Sequence, residues 1–192
     1  MNASGCCEAA VAARERTGWV KFRERGELLK VKGMVYRSCV RSAMLYESET
    51  WCLRENETAI LRGTERAMVR AVGGAKVIEK KRTEDLMEML GLKETAVQMA
   101  KVSGVGWYEN VLRRDDGHVL RKVLEVEVRG KRKPGRPKRT WKMQVEKENK
   151  SVGLVKKDAM NRARWRVGVR EVAAGVNPAM PVYLDKPRSK LV

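Results

Sequence analysis

The sequence predicts a mainly α-helical protein: a small helical bundle with an extended basic loop that contains proline and glycine, and with disordered termini. Apolar residues recur at the three- and four-residue intervals of amphipathic helices, and glycines interrupt the periodic segments. Hydrophobic residues make up 43% of the 192 residues, which is enough for a core. We divide the chain into a poorly ordered N-terminal segment (1–19), a helical region (20–128), a basic extended hook (129–140), C-terminal helices (141–173) and a disordered tail (174–192).

The first half of the chain predicts two helices and a basic ridge. Residues 28–46 mix Val, Met, Leu and Tyr with Lys and Arg, which is typical of a helix. Asn56 is the expected N-cap of the next helix, which ends at Gly73 and Gly74. One side of that helix carries Ile60, Leu61, Thr64, Met68, Ala71 and Val72. The opposite side carries a ridge that either follows phosphates or is a solvated face: Arg62, Arg66 and Arg70.

A short helix and a long one follow. Thr83 is expected to cap the short helix, which closes at Gly91, and the long helix is expected from about residue 94 to residue 112. Within the long helix Gly104 and Gly106 each cost about 1 kcal/mol relative to Ala, which indicates close packing or a bend. The apolar stripe of this helix comprises Val97, Ala100, Gly104, Tyr108, Val111 and Leu112.

Shorter elements complete the predicted fold. A turn and a short helix are expected over 115–124, and the alternation of residues 124–128 predicts a brief extended piece. Thr140 is the expected N-cap of the helix after the hook. The last helix is expected over 158–172 and places three arginines on one side: Arg162, Arg166 and Arg170.

Charge and cysteine usage narrow the possible functions. The chain has 42 Lys and Arg against 24 Asp and Glu, a formal charge of +18, so a polyanion would relieve its self-repulsion and nucleic acid is the leading partner. Its cysteines lack a Cys-x-x-Cys pair, and the single histidine, His118, is distant from them in sequence. We therefore expect no zinc site, no disulfide scaffold and no cofactor. The four cysteines are Cys6, Cys7, Cys39 and Cys52.

The sequence also bears on the cellular compartment. No run approaches the roughly 20 apolar residues that span a bilayer, and the N-terminus lacks the apolar core of a signal peptide. We expect an intracellular, nuclear protein without a membrane partner.

The hook has the densest positive charge in the chain. In "RGKRKPGRPKRTW" (129–141) proline fixes an extended backbone and glycine removes side-chain bulk, so the segment can lie along a groove. It resembles the AT-hook core Arg-Gly-Arg-Pro, and Arg136 could enter an A·T-rich minor groove, but Pro134 replaces the first arginine of that core. A nuclear-localisation signal and a solvated linker are the alternatives. The seven cations are Arg129, Lys131, Arg132, Lys133, Arg136, Lys138 and Arg139.

Catalytic motifs are not found in the sequence. It contains no Gly-x-x-x-x-Gly-Lys phosphate loop, no His-Glu-x-x-His and no Gly-x-Ser-x-Gly turn. The adjacent pair Asp115 and Asp116 would suit a metal ion, but helix N-capping accounts for it more simply. His118 is expected at the surface or at a helix start.

Four longer stretches carry a resemblance to a known family. They are "VYRSCVRSAMLYESETW" (35–51), "ERAMVRAVGG" (65–74), "GWYENVLRRDDGHVLRKVLEVEVRGKRKPGRPKRTWK" (106–142) and "DAMNRARWRVGV" (158–169). In order and spacing they resemble the region after the polymerase palm of LINE-type, non-LTR retrotransposon reverse transcriptases, and the resemblance covers roughly residues 20–173.

This resemblance implies a helical, thumb-like region followed by a basic part that handles nucleic acid. The family's basic Arg-Pro signature followed by Trp matches Arg136, Pro137, Lys138 and Trp141, and its late Arg-x-x-Trp-Arg matches Arg162, Trp165 and Arg166.

The chain also departs from the family. Glu109 and Asn110 stand where the family has Gly-His, and the polymerase signature of an aromatic residue, a small residue and two aspartates is absent. We therefore expect a catalytically incomplete C-terminal fragment that is not an enzyme.

Two functions follow from these observations. The first is non-specific binding of DNA or RNA through the hook and the two arginine ridges, with Trp141 and Trp165 as core anchors in preference to stacking platforms. The second is a remnant, or a protein-interaction module, without a specific ligand and with an inherited charge.

Overall fold

The computed structural model describes residues 7–25, 33–76, 79, 81–126 and 140–175. Within these ranges the regular elements are all helical, which confirms the mainly α fold class. The predicted hook cations and most of the predicted tail lie outside the described residues. A π-helix covers Tyr36–Arg41, and 3₁₀ turns cover Ser48–Thr50 and Lys156–Met160. The α-helices are α1 (Glu8–Glu24), α2 (Gly33–Val35), α3 (Ser42–Met44), α4 (Glu55–Val72), α5 (Thr83–Met89), α6 (Ala96–Leu112), α7 (Val119–Glu125), α8 (Trp141–Ser151) and α9 (Arg162–Ala174).

Helix α6 connects two parts of the core. Its first half packs against α4 and shares a hydrophobic cluster with α1 and α3, where Val97 joins Val11 and Leu61. Its second half packs against α8 and α9, where Tyr108 joins Val145 and Trp165. The stripe predicted on this helix is confirmed, because all six of its members are buried.

A third cluster joins the π-helix to α4 and α5. Tyr36 and Val40 meet Met68, Val69 and Leu86 there, and all five are fully buried. Through this cluster α4 contacts α5 on one side and the π-helix on the other.

The predicted helix starts were partly right. Thr140 caps α8, since its hydroxyl oxygen accepts a hydrogen bond from Met143 N at 3.4 Å. Asn56 is not the cap of α4: the helix begins at Glu55, and Glu57 reaches back to accept the N–H of Arg54 at 3.0 Å. The predicted stop of this helix at Gly73 is confirmed. Thr83 is the first residue of α5 and not its cap.

Two segments differ from their expected structure. Residues 1–19 were expected to be poorly ordered, yet α1 begins at Glu8 and buries Val11 completely. The extended piece expected at 124–128 is wrong where it is described, because Leu124 belongs to α7 and packs on the cluster around Tyr108. Burial of these apolar side chains favours helices where the sequence pattern is weak.

The glycines of α6 have different surroundings. A Cβ at Gly104 would lie 3.6 Å from the carbonyl oxygen of Glu49 and 3.6 Å from Val145, which confirms close packing there. A Cβ at Gly106 would meet nothing within 4 Å.

Over the described ranges, none of the helices combines the length and the apolarity needed to cross a bilayer.

Candidate nucleic-acid interface

Helix α9 presents the arginines of the second predicted ridge to solvent. Asn161 caps the helix by accepting the N–H of Arg164 at 3.1 Å. Its buried side carries Trp165, Gly168 and Val172, and this fixes the orientation of the helix. Three side chains on the opposite side are exposed and recur every four residues, about 6 Å apart along the axis: Arg162, Arg166 and Arg170.

The charges of the α9 arginines are not compensated within the described part of the chain. Among the described residues, none of the three forms an ion pair with a carboxylate. Like charges four residues apart on a helix destabilise it by roughly 0.2–0.5 kcal/mol per pair. The face therefore carries a repulsion that a bound anion would relieve.

The ridge on α4 is shorter than the sequence predicts. Arg62 and Arg66 are exposed, and Arg62 lies 3.8 Å from Glu55. Arg70 is half-buried, and its Nη2 donates to the carbonyl oxygen of Lys81 at 2.8 Å. Two of the three arginines are thus available to a ligand, while the third ties α4 to the start of α5.

Three clefts adjoin the α4 ridge, and Arg62 lines all of them. The largest, about 740 Å³, lies between α4, α5 and the start of α6, where Arg66 and Lys93 face Glu84 and Glu88. The others measure about 380 and 210 Å³ and lie towards α8. The lining of the largest of these clefts has as many carboxylates as cations, so its charge is balanced, unlike that of the α9 face.

A buried ion pair positions α4 against α6. The guanidinium of Arg41 donates to Glu65 Oε1, and Glu65 Oε2 accepts the N–H of Ala96 at 2.8 Å. Burial raises the pKa of the adjacent Tyr36 above its usual value, so this phenol stays protonated. The sequence reasoning missed this pair, although a glutamate between Leu61 and Met68 on a buried stripe indicates a hidden cationic partner.

Both tryptophans of the predicted interface pack inward. Trp165 is fully buried. Trp141 is partly buried, donates Nε1–H to the carbonyl oxygen of Glu49 at 2.7 Å and meets the ring of Tyr108 edge to face. The preference for core anchors over stacking platforms is confirmed.

The aspartate pair does not cap a helix. His118 is the N-cap of α7, and its Nδ1 accepts the N–H of Leu120 at 3.2 Å, as expected for a helix-start residue. Asp115 closes the preceding turn through its backbone carbonyl, and Asp116 lies 3.6 Å from Arg121. In the part of the chain that the structure describes, no group of three or more potential metal ligands comes together.

The hook of the predicted interface, residues 129–139, lies outside the described residues. Comparison of the chain with protein-family models, with curated proteins and with solved structures gives no match. The candidate interface therefore rests on the residues of this chain alone.

Proposed function

We propose that the chain is a non-enzymatic module that binds DNA or RNA without sequence specificity through its basic surfaces. The observation that carries the proposal is the exposed face of α9, with Arg162, Arg166 and Arg170 unpaired among the described residues. Arginine is suited to phosphate because its guanidinium donates two parallel hydrogen bonds and stays charged at any physiological pH. Contacts to phosphate give affinity without reading sequence.

The hook adds to this surface in our proposal. Its seven cations directly precede Thr140, the cap of α8, and α8 packs against both α6 and α9. If about five of them neutralise phosphates, the hook contributes about −4 to −5 to the slope of the logarithm of the binding constant against the logarithm of the salt concentration on duplex DNA, in addition to the contribution of α9.

The resemblance to the post-palm region of LINE-type reverse transcriptases supports the same function. That resemblance implies a helical thumb-like part and a basic part, and the chain is mainly helical. A helical bundle does not by itself indicate a function, so the proposal of nucleic-acid binding depends on the exposed arginines of α9. On this proposal the protein acts on nuclear nucleic acid as a polymerase fragment without catalysis.

The test is fluorescence anisotropy of the purified chain with labelled duplex DNA and labelled single-stranded RNA at physiological salt. The α9 triple variant carries Arg162→Ala, Arg166→Ala and Arg170→Ala. We expect it to bind both probes about tenfold more weakly, because three exposed phosphate contacts of about 0.5 kcal/mol each are lost. When the seven hook cations are also replaced by alanine in the α9 triple variant, we expect most of the affinity that this variant retains to be lost.

A matched control removes the same charge elsewhere. Arg16, Arg23 and Arg25 are exposed and form no ion pair within the described residues, so their alanine triple variant lowers the net charge equally. It should bind like the wild type. Equal losses in both triple variants would mean that only total charge matters and would overturn the assignment to α9.

The alternative is a protein-interaction module without a nucleic-acid ligand. The observation that favours it is the exposed apolar surface of α7 and the residue that follows it, where Val119, Val123 and Val126 are 69%, 66% and 64% exposed. Weak binding of both probes that does not depend on salt or on the arginines would favour this alternative.

A further inference from the structure

A cleft of about 210 Å³ between the start of α4, α6 and α8 is lined by a buried polar side chain. This side chain is Gln144 on α8, which is only 8% exposed. Its carbonyl oxygen Oε1 accepts no hydrogen bond from the residues that the structure describes. A buried acceptor in this state destabilises the fold, so a ligand that brings a donor would be favoured there.

The walls of the cleft are predominantly cationic. Arg54, Arg62, Lys101 and Lys147 line it together with Glu55 and Glu148. Glu148 pairs with Lys101 at 3.0 Å, and Glu55 lies 3.8 Å from Arg62. Arg54 and Lys147 form no ion pair within the described ranges. A ligand for this cleft therefore combines a hydrogen-bond donor with negative charge.

The sugar–phosphate backbone of RNA has both features. Its phosphate matches the unpaired cations, and its 2′-hydroxyl is a donor that DNA lacks. Among the described residues no aromatic side chain lines the cleft, so a stacked base has no platform there. We propose that this cleft binds one ribose-phosphate unit of an RNA strand, with Gln144 Oε1 accepting the 2′-hydroxyl.

The surroundings allow a strand to pass through. The neighbouring cleft of about 380 Å³ shares Arg62, Val97, Lys101 and Glu148 with it, so the two form one groove. Oε1 itself is buried, so the proposal requires rotation about the last side-chain torsion, which is broad for glutamine, to bring Oε1 to an entering hydroxyl. This inference rests on the proposed binding of nucleic acid and adds a preference for RNA.

The test compares three labelled single strands of one sequence: RNA, DNA with deoxyuridine in place of uridine, and 2′-fluoro RNA. The 2′-fluoro strand keeps a ribose-like sugar of similar size but has no 2′-donor. We expect the wild type to prefer RNA over both other strands by about two- to tenfold, the effect of one hydrogen bond. Gln144→Met, which keeps the volume of the side chain, should abolish the preference and leave binding of DNA unchanged.

Asn149→Leu is the matched control. Asn149 also lies on α8 and is 6% exposed, and its Oδ1 accepts no hydrogen bond from any described residue, but it lines a different cleft beside Tyr108 and Lys156. This variant should keep the preference for RNA.

Three outcomes would overturn the inference. Salt-dependent binding with equal affinity for the three strands would refute the Gln144 site and leave the proposed function intact. A preference for RNA that survives in Gln144→Met would also refute the site. If no strand binds in a salt-dependent manner, the proposed function fails, and the inference fails with it.

Discussion

Glu65 joins three parts of the fold through one buried carboxylate. It lies on α4, accepts from Arg41 at the end of the π-helix and accepts from the first N–H of α6. Both charged side chains are almost fully buried, so removing either one leaves an uncompensated charge in the interior.

We expect Glu65→Gln to destabilise the protein by about 3–5 kcal/mol, because the guanidinium of Arg41 stays buried without its counter-charge. The double variant Arg41→Met, Glu65→Gln should recover most of this loss, since the glutamine oxygen still accepts from Ala96. Urea unfolding monitored by circular dichroism measures both. A single variant within about 1 kcal/mol of the wild type would show that the pair is not buried as described.

The two buried tyrosines should respond differently to loss of the hydroxyl. Within the described residues Tyr36 OH meets no hydrogen-bond partner at normal geometry, whereas Tyr108 OH donates to Glu146 Oε1 at 3.2 Å. We expect Tyr36→Phe to keep or raise stability and Tyr108→Phe to lose about 1 kcal/mol at neutral pH. Equal losses in thermal unfolding would contradict this.

Tyr36 also gives a prediction at alkaline pH. Burial raises its pKa in the folded state above the ordinary value of 10.0. Above pH 10 the phenol loses its proton in the unfolded state but keeps it in the folded state. The free energy of unfolding is therefore unaffected by Tyr36 ionisation below pH 10 and decreases as the pH rises further. Urea titrations on either side of pH 10 should show a smaller decrease for Tyr36→Phe than for the wild type.

The spacing of apolar residues predicts where most helices lie, but it does not predict the residues at which they begin and end. The stripe of α6 was readable because Val97, Ala100 and Tyr108 recur at helical intervals and are buried. The start of α4 was missed because Glu57 reaches back to the backbone of Arg54, an arrangement that a search for a polar N-cap overlooks. Helix α1 has no strong apolar side and folds through a few contacts such as that of Val11.

Two glycines inside helices should respond in opposite ways to alanine. A Cβ at Gly106 in α6 meets nothing within 4 Å, but a Cβ at Gly168 in α9 would lie 2.5 Å from the side chain of Leu154. We expect Gly106→Ala to stabilise by up to about 1 kcal/mol and Gly168→Ala to destabilise by about 1–3 kcal/mol. Thermal unfolding of both variants measures this. A stabilised Gly168→Ala would contradict the close packing of α9 on Leu154.

At the scale of the whole molecule, the sequence predicts the net charge but not how the charged side chains are distributed over the surface. The +18 charge favours a polyanionic partner. Only the structure shows that Arg70 donates to a backbone carbonyl while the α9 arginines stay exposed. The cations around Gln144 come from α4, α6 and α8, and side chains brought together by tertiary packing leave no periodic signal in the sequence.

The salt dependence of binding to duplex DNA tests the central claim most directly. If the three arginines of α9 contact phosphates, the α9 triple variant should bind with a slope of log K against log[salt] that is shallower than that of the wild type by about 2.7. The triple variant of Arg16, Arg23 and Arg25 should keep the wild-type slope. An unchanged slope in the α9 triple variant would contradict the claim that this face binds nucleic acid.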